Sequence, residues 1–399
     1  MTETPFPSRS FSQLVHLTRE ADDERFTGSN ELAASIDWPA LTKLAQYHRV
    51  DSLVAGRLAG IAPESVPKAS GAYFQKQRSG AAKKILAREA SLVKVSKTLQ
   101  GADIDHILLK GAAVADRFYL KDDIRQSIDV DIWIAPDKLL PAIDALKALN
   151  HRLLVPEFDI TTKNLSAVQR IVNAASLADM KLKVHHDVHW RLNDVPGLLD
   201  WDFETLRART DTIRLGDTSV PVFAPEDQLI YLYTHGAKHA WFRLKWMADI
   251  YRIRKRLPEG AHAAVQQRMK ETGLDAVFRT ANQLHNFLYA EGHPLGTASS
   301  QKYVQFRLSQ TSKETELNLG NFKAILAQIK YRLGLRESLK YRLSTLAHYC
   351  ANLNDVPRLR LSGGFFGAYI IAGPVLGLFR LLKRSLDRKP VQTHESANS

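Results

Sequence analysis

From residue 11 to about 100, apolar positions recur at helical spacing. In DWPALTKLAQYHRVDSLVAGRLAG, Leu41, Leu44, Ala45 and Val50 fall near one face. In AAKKILAREASLVKVSKTLQ, Ile85, Leu92, Val95 and Leu99 line one side of a long helix. The period changes at 103. DIDHILLKG reads as a short buried strand ending at a glycine, and AAVADRFYL suits a short helix. SIDVDIWI alternates strictly, with Ile128, Val130, Ile132 and Ile134 facing one way and Asp129, Asp131 and Trp133 the other. PDKLLPAIDALKALN predicts an amphipathic helix with Pro136 early in its first turn. KLKVHHDVHWRL alternates again, with His185, Asp187 and His189 sharing one face. DTIRLGDTSVPVF predicts a hairpin turning at Gly216-Asp217. After APED at 224–227 the helical period returns, and QLIYLYTHGAKHAWFRLKWMADIYRIRKRL is the most periodic segment of the chain.

This order predicts an α+β protein with helices, a small mixed-sheet unit, and helices again. Its expected parts are a disordered 1–10, a helical region 11–100, an α/β core 101–223, a helical region 224–385 and a disordered tail 386–399. Residues 294–320 are polar and are expected to include a mobile loop. There is no internal repeat.

Asp129 and Asp131 stand one residue apart in a strand with an otherwise apolar pattern. Residues i and i+2 of a strand point to the same face, so two carboxylates would lie side by side. Like charges that close need neutralising, and a divalent cation does so. Mg²⁺ prefers one or two carboxylates together with phosphate oxygens and water. Asp187 supplies a third acid, as a further metal ligand or as a base for an acceptor hydroxyl. Two solvated acids on an exposed strand would explain the pair without any function, but the surrounding blocks favour a site.

Those blocks carry a resemblance. LLKG at 108–111, RQSIDVD at 125–131, DVHW at 187–190 and HGAKHAWFRLKWMAD at 235–249 resemble the bacterial family often named simply "nucleotidyltransferase family protein". The layout is similar to the nucleotidyltransferase fold shared with DNA polymerase β. The resemblance covers roughly 35 to 255. It implies a small mixed-sheet nucleotidyltransferase core, Mg²⁺ (or Mn²⁺), and an NTP donor, with ATP expected. It also implies metal binding by Asp129, Asp131 and Asp187, and phosphate contacts from Lys110, Gly111 and Arg125. Lys110-Gly111-Ala112 stands where the wider superfamily has Gly-Ser, so a lysine point charge replaces a serine contact. Gly111 still permits close backbone approach. No Walker-type Gly-rich loop is present, which argues against a P-loop kinase.

His235 and His239 are four apart on a predicted helix, and HGAKH lacks the glutamate of a zinc-protease HExxH. With His185 and His189 they are expected to wall the cleft on the acceptor side rather than bind zinc. Lys245 and Asp249, also four apart, are explained by a helix ion pair, and only the resemblance draws them toward the site. Trp190, Trp241 and Trp246 are candidates for stacking a base, with core packing as the simpler reading.

The 399 residues carry 55 Lys and Arg against 42 Asp and Glu, a net charge of +13. That balance favours anionic partners. There is no zinc finger, RNA-recognition signature or basic-aromatic stripe, so nucleic acid is not the expected partner. The expected partners are a nucleotide and an acceptor that is a small molecule or glycan precursor. One cysteine, Cys350, suits a reducing compartment, and the N-terminus has no secretory pattern, so a cytoplasmic location is expected. GGFFGAYIIAGPVLGLF is uncharged but only 17 residues long, is interrupted by Gly373-Pro374, and precedes Arg380, Lys383 and Arg384. It predicts packing on the body or peripheral contact with the inner membrane surface through 365–384, rather than a span. The alternative to an enzyme is a non-catalytic nucleotide-binding or scaffold protein at such a surface.

Overall fold

A computed structural model describes residues 6–23, 30–61, 63–290, 293–310 and 322–386, with backbone alone for 30, 63, 322 and 378–386. Residues 1–5 of the expected disordered start, 311–320 of the expected mobile loop and 387–399 of the tail lie outside the described residues.

Seven strands form one mixed sheet. They are β1 (His106–Leu108), β2 (Asp129–Ile134), β3 (His151–Val155), β4 (Ala174–Asp179), β5 (Val184–His189), β6 (Asp211–Leu215) and β7 (Thr218–Val222). Their order is β3-β4-β5-β2-β1-β7-β6. β2 runs parallel to β5 and antiparallel to β1, and β1 runs parallel to β7. The fold is α+β, with helices packed on both faces of the sheet.

The alternation in β2 decides which core each side chain joins. Val130, Ile132 and Ile134 pack with Leu92, Val95 and Leu99 of the long helix Lys68–Gly101 and with the helix Leu139–Ala148. Trp133, on the other face, packs with Phe203 and Phe223 and belongs to the core built by the N-terminal helices and the helices after 224. One register therefore serves two cores, because a one-residue slip would exchange the faces. Ser91 pins the long helix to the sheet: its hydroxyl lies 2.7 Å from Asp179 and 2.8 Å from Nε2 of His186, all three in contact and buried from solvent.

A second set of buried charges ties distant segments together. Arg252 on the helix Leu244–Arg256 reaches Asp123 at 3.1 Å and Glu20 at 3.9 Å, and Arg57 pairs with the same Asp123. The N-terminal helical region, the loop before β2 and the C-terminal helices are thus joined through charges that water does not reach.

Four local features depart from the pattern reading. Strands β3 and β4 were not signalled by HRLLV and AASLAD. The long periodic segment after 224 is two helices, Pro225–Lys238 and Leu244–Arg256. Ala240 and Trp241 take positive φ (50° and 56°), and the chain folds back so that Trp241 N–H bonds to Gly236 O at 3.0 Å. The Trp241 ring fills the space a Cβ at Gly236 would need, so a glycine there makes the reversal possible. Within 294–320, Ser299–Leu308 is a helix. Finally, helix Phe366–Leu386 continues through Pro374, which lies on its exposed side.

Candidate active site

Parallel pairing of β2 and β5 sets the site. Asp129 stands beside His185, Asp131 beside Asp187, and Trp133 beside His189. The acid pair of β2 and the alternating Asp and His of β5 therefore share one face, as their spacing predicts. Among the described residues, Asp131, Asp187 and His189 each offer a ligand atom within 4.8 Å of the others.

Lys110 follows β1 directly. Leu109 is held on both sides: its N–H bonds to Asp131 O at 3.0 Å, and its carbonyl accepts from the Gln228 amide at 2.9 Å. That fixes the Lys110 Nζ 3.1 Å from Asp131 Oδ2 and 3.9 Å from Asp129 Oδ2. Burial works against the Lys110 charge, but Asp131 and Asp129 outweigh it and raise its pKa above the ordinary lysine range. Burial likewise works to raise Asp131. Lys110 and the hydrogen bond with His189 Nε2, at 3.1 Å, outweigh it and hold that carboxyl well below the usual carboxylate range. Asp187 goes the other way: burial and then the Asp131 charge raise it, against a hydrogen bond donated by Ser176. Two neighbouring carboxylates, only one of them paired with a lysine, are driven apart in this way.

Gly111 turns the chain from Lys110 into the helix Ala112–Phe118 with φ of 72° and ψ of −115°, a conformation that L side chains rarely adopt. Arg125 supports this turn from behind. Its Nη1 donates to Gly111 O at 3.3 Å, while Nε and Nη2 meet the two carboxylate oxygens of Asp249 at 2.7 and 2.8 Å. Tyr119 donates to the same Asp249 at 2.6 Å. Both partners are buried. Burial opposes both charges, yet their mutual attraction raises Arg125 and lowers Asp249. The expected Lys245–Asp249 helix pair is therefore replaced by Arg125–Asp249, and Arg125 braces the Lys-Gly turn through contacts within the protein. Lys245 stays half-buried without an acid partner among the described residues. Burial, and then the Arg125 charge, pull its pKa down to about 7.

The opposite wall comes from the two helices after 224. His235 and His239 lie together, ring centroids 5.0 Å apart, and Trp246 stacks on His239 at 5.1 Å. Burial, followed by Lys110 for His235 and Lys238 for His239, drives both far below the usual histidine range, so both are neutral. His235 Nδ1 is buried with no hydrogen-bond partner among the described residues. His185 is exposed at the start of β5, beside Asp129. Trp190 and Trp241 are core residues, which leaves Trp246, half-buried on His239, as the aromatic surface of the three.

Sequence reasoning missed three supporting residues. Asn173 places an amide nitrogen 3.1 Å from Nδ1 of His189, Ser176 holds Asp187, and Tyr119 holds Asp249. Asn173 directly precedes β4 and Ser176 lies within it, the strand that the pattern did not reveal.

A lysine-glycine turn ends one strand of the α+β sheet, two acids stand on its neighbour and a third on the strand beyond. The family model described as "Uncharacterised nucleotidyltransferase" matches residues 34–289, and the chain belongs to that family. No curated protein matches it.

Proposed function

We propose that the chain transfers an NMP group from an NTP, with ATP as the expected donor, to an acceptor hydroxyl in a reaction that depends on Mg²⁺ (or Mn²⁺). One observation carries this reading: Asp131 and Asp187 are register partners, and His189 and Asp129 flank them on the same face. The donor set suits a divalent ion, since two carboxylates and one imidazole converge there, with Asp129 on the same strand face. Asp129, Asp131 and Asp187 would hold it, with His189 Nε2 in reach. Such an ion supplies charge neutralisation to the triphosphate and to the leaving pyrophosphate.

The protein's own groups have separate tasks. Lys110 exchanges part of its contact with Asp131 for phosphate oxygens, as a point charge. The positive-φ turn at Gly111 lets the backbone approach the triphosphate. Arg125 keeps that turn in place through Asp249. Asp187 takes the proton from the acceptor hydroxyl as its oxygen bonds to the α-phosphorus. The bond from that phosphorus to the bridging oxygen breaks, and pyrophosphate leaves. Neutral His235 and His239 with Trp246 form the acceptor wall. Their mix of hydrogen-bonding and stacking surfaces suits a polar small molecule or glycan precursor. An NTP donor implies the cytoplasm as the working compartment.

The test is pyrophosphate release with each NTP and Mg²⁺ in the presence of a small-molecule extract as acceptor pool. Wild type should release pyrophosphate with one preferred NTP, and Asp131→Asn should lose at least about a hundredfold in rate. Undiminished release by Asp131→Asn would overturn the assignment. A second reading, a nucleotide-binding scaffold without turnover, is favoured by one fact: the Lys110 ammonium already lies 3.1 Å from Asp131 and offsets its charge. NTP binding without release against any acceptor would support it.

A further inference from the structure

The helices after Tyr331 leave an apolar surface that the site does not use. Twelve large apolar side chains are exposed among the described residues, and six of them lie between 339 and 375. Leu339, Leu343 and Leu346 recur at i, i+4 and i+7 on the helix Leu339–Cys350, and Phe365, Ile371 and Val375 come from the segment Gly363–Gly377. Leu339 is 70% exposed and Ile371 78%, values that place them on the outside rather than at the edge of a core. The two helices cross where Gly373 meets the Cys350 carbonyl so closely that a Cβ would collide. Beside the crossing, Leu343 and Leu346 line a groove of about 740 Å³ with Phe366 and Ile370. Leu343 and Leu346 thus share the cleft with Phe366 and Ile370, and Leu339, Ile371 and Val375 are exposed on the same two helices.

Its rim is basic. Lys340, Arg342, Arg358 and Arg360 are exposed, and none pairs with a carboxylate among the described residues. A second copy of the chain seated on this face by a twofold axis would bring these cations together, which disfavours self-association. An anionic surface would match them. Crossing a bilayer is a poor use of the segment: among the described residues no single helix is long and apolar enough, and Leu353–Leu359 and Gly363–Gly377 meet at 113°. At about 1.5 Å per residue the helix Phe366–Leu386 runs about 31 Å, but Arg380, Lys383 and Arg384 fall in its last turns, so its uncharged part is shorter than a hydrocarbon core of about 30 Å. Exposed apolar residues with a cationic rim are the arrangement of a helix lying in the headgroup layer.

We propose that the face formed by Leu339–Cys350 and Gly363–Gly377 docks on an anionic lipid bilayer, with Leu339, Leu343, Ile371 and Val375 entering the acyl boundary. The proposal does not depend on the nucleotidyl-transfer reading, and its test reads binding alone.

The test is flotation of the full chain with phosphatidylcholine vesicles and with vesicles of three parts phosphatidylcholine to one part phosphatidylglycerol. Wild type should float with the anionic vesicles and not with the neutral ones, and 0.5 M salt should weaken the binding. The variant Leu343→Gln/Ile371→Gln, with unchanged circular dichroism, should lose about tenfold or more in partitioning. Lys340→Glu/Arg342→Glu should lose the preference for anionic lipid. Wild type that stays at the bottom with both vesicle types overturns the proposal. So does binding that the Leu343→Gln/Ile371→Gln variant retains. A dimer seen in sedimentation and lost in that variant would assign the face to a second copy instead.

Discussion

Lys245 is the residue whose charge is least at home. It lies half-buried beside Arg125, and burial with that charge pulls its pKa down to about 7. The folded pKa is lower than the unfolded one, so between about 7 and 10.5 the unfolded chain binds more protons and stability rises with pH. Below about 7 the penalty on the charged lysine is fully present. Lys245→Met should therefore melt higher than wild type at pH 6, with the gap closing as pH rises from 7 toward 10. A melting curve at each pH checks this, and a gap that stays constant would contradict it. At this scale the acids were legible and their support was not. Asp129, Asp131 and Asp187 could be placed on one face because strand alternation is a local rule. The partner of Arg125 could not, because Asp249 is 124 residues away and only the folded chain brings the two together. The i, i+4 spacing of Lys245 and Asp249 suggested a local pair, and a planar, buried, two-pronged contact from Arg125 displaced it.

Two elements bear on how the cleft is held. The helix Leu244–Arg256 reaches the Lys-Gly turn through Asp249 and Arg125. Asp249→Ala would leave Arg125 charged and buried with nothing opposite, and should cost about 3–5 kcal/mol in urea unfolding. Arg125→Met/Asp249→Leu should recover most of that loss in stability while still loosening the turn, because an apolar pair removes both charges. A double variant as unstable as Asp249→Ala would show that packing, not charge, sets the cost. The reversal at Gly236 to Trp241 divides the most periodic segment of the chain. Periodicity sees the apolar face but not the break, because the left-handed residues Ala240 and Trp241 are ordinary in sequence. Only the glycine in HGAKH hints at it. Gly236→Ala should cost roughly 1–3 kcal/mol, measured by urea, because the methyl group would meet the Trp241 ring. Strands β3 and β4 were illegible for a different reason. AASLAD has weak strand preference of its own, and six register partners on β5 impose the conformation.

In the whole molecule, charge has two locations with different consequences. Inside the cleft Lys110 faces an excess of acids, Asp129, Asp131 and Asp187, whereas the unpaired cations at 340–360 face outward. The excess of +13 thus says little about the site and more about what the outer surface meets. The central claim is that the face shared by β2 and β5 holds a divalent ion with a nucleotide. The direct measurement is the melting temperature with each NTP, with and without Mg²⁺ or Mn²⁺, on wild type and on Asp187→Asn. The asparagine keeps an oxygen for the Ser176 hydroxyl and removes one of two like charges, so the free variant should melt no lower than wild type. Wild type should melt higher with one NTP and the metal together, since binding to the folded state raises stability, and Asp187→Asn should lose that rise. An equal rise in Asp187→Asn, or no rise in wild type with any NTP and either metal, would contradict the claim.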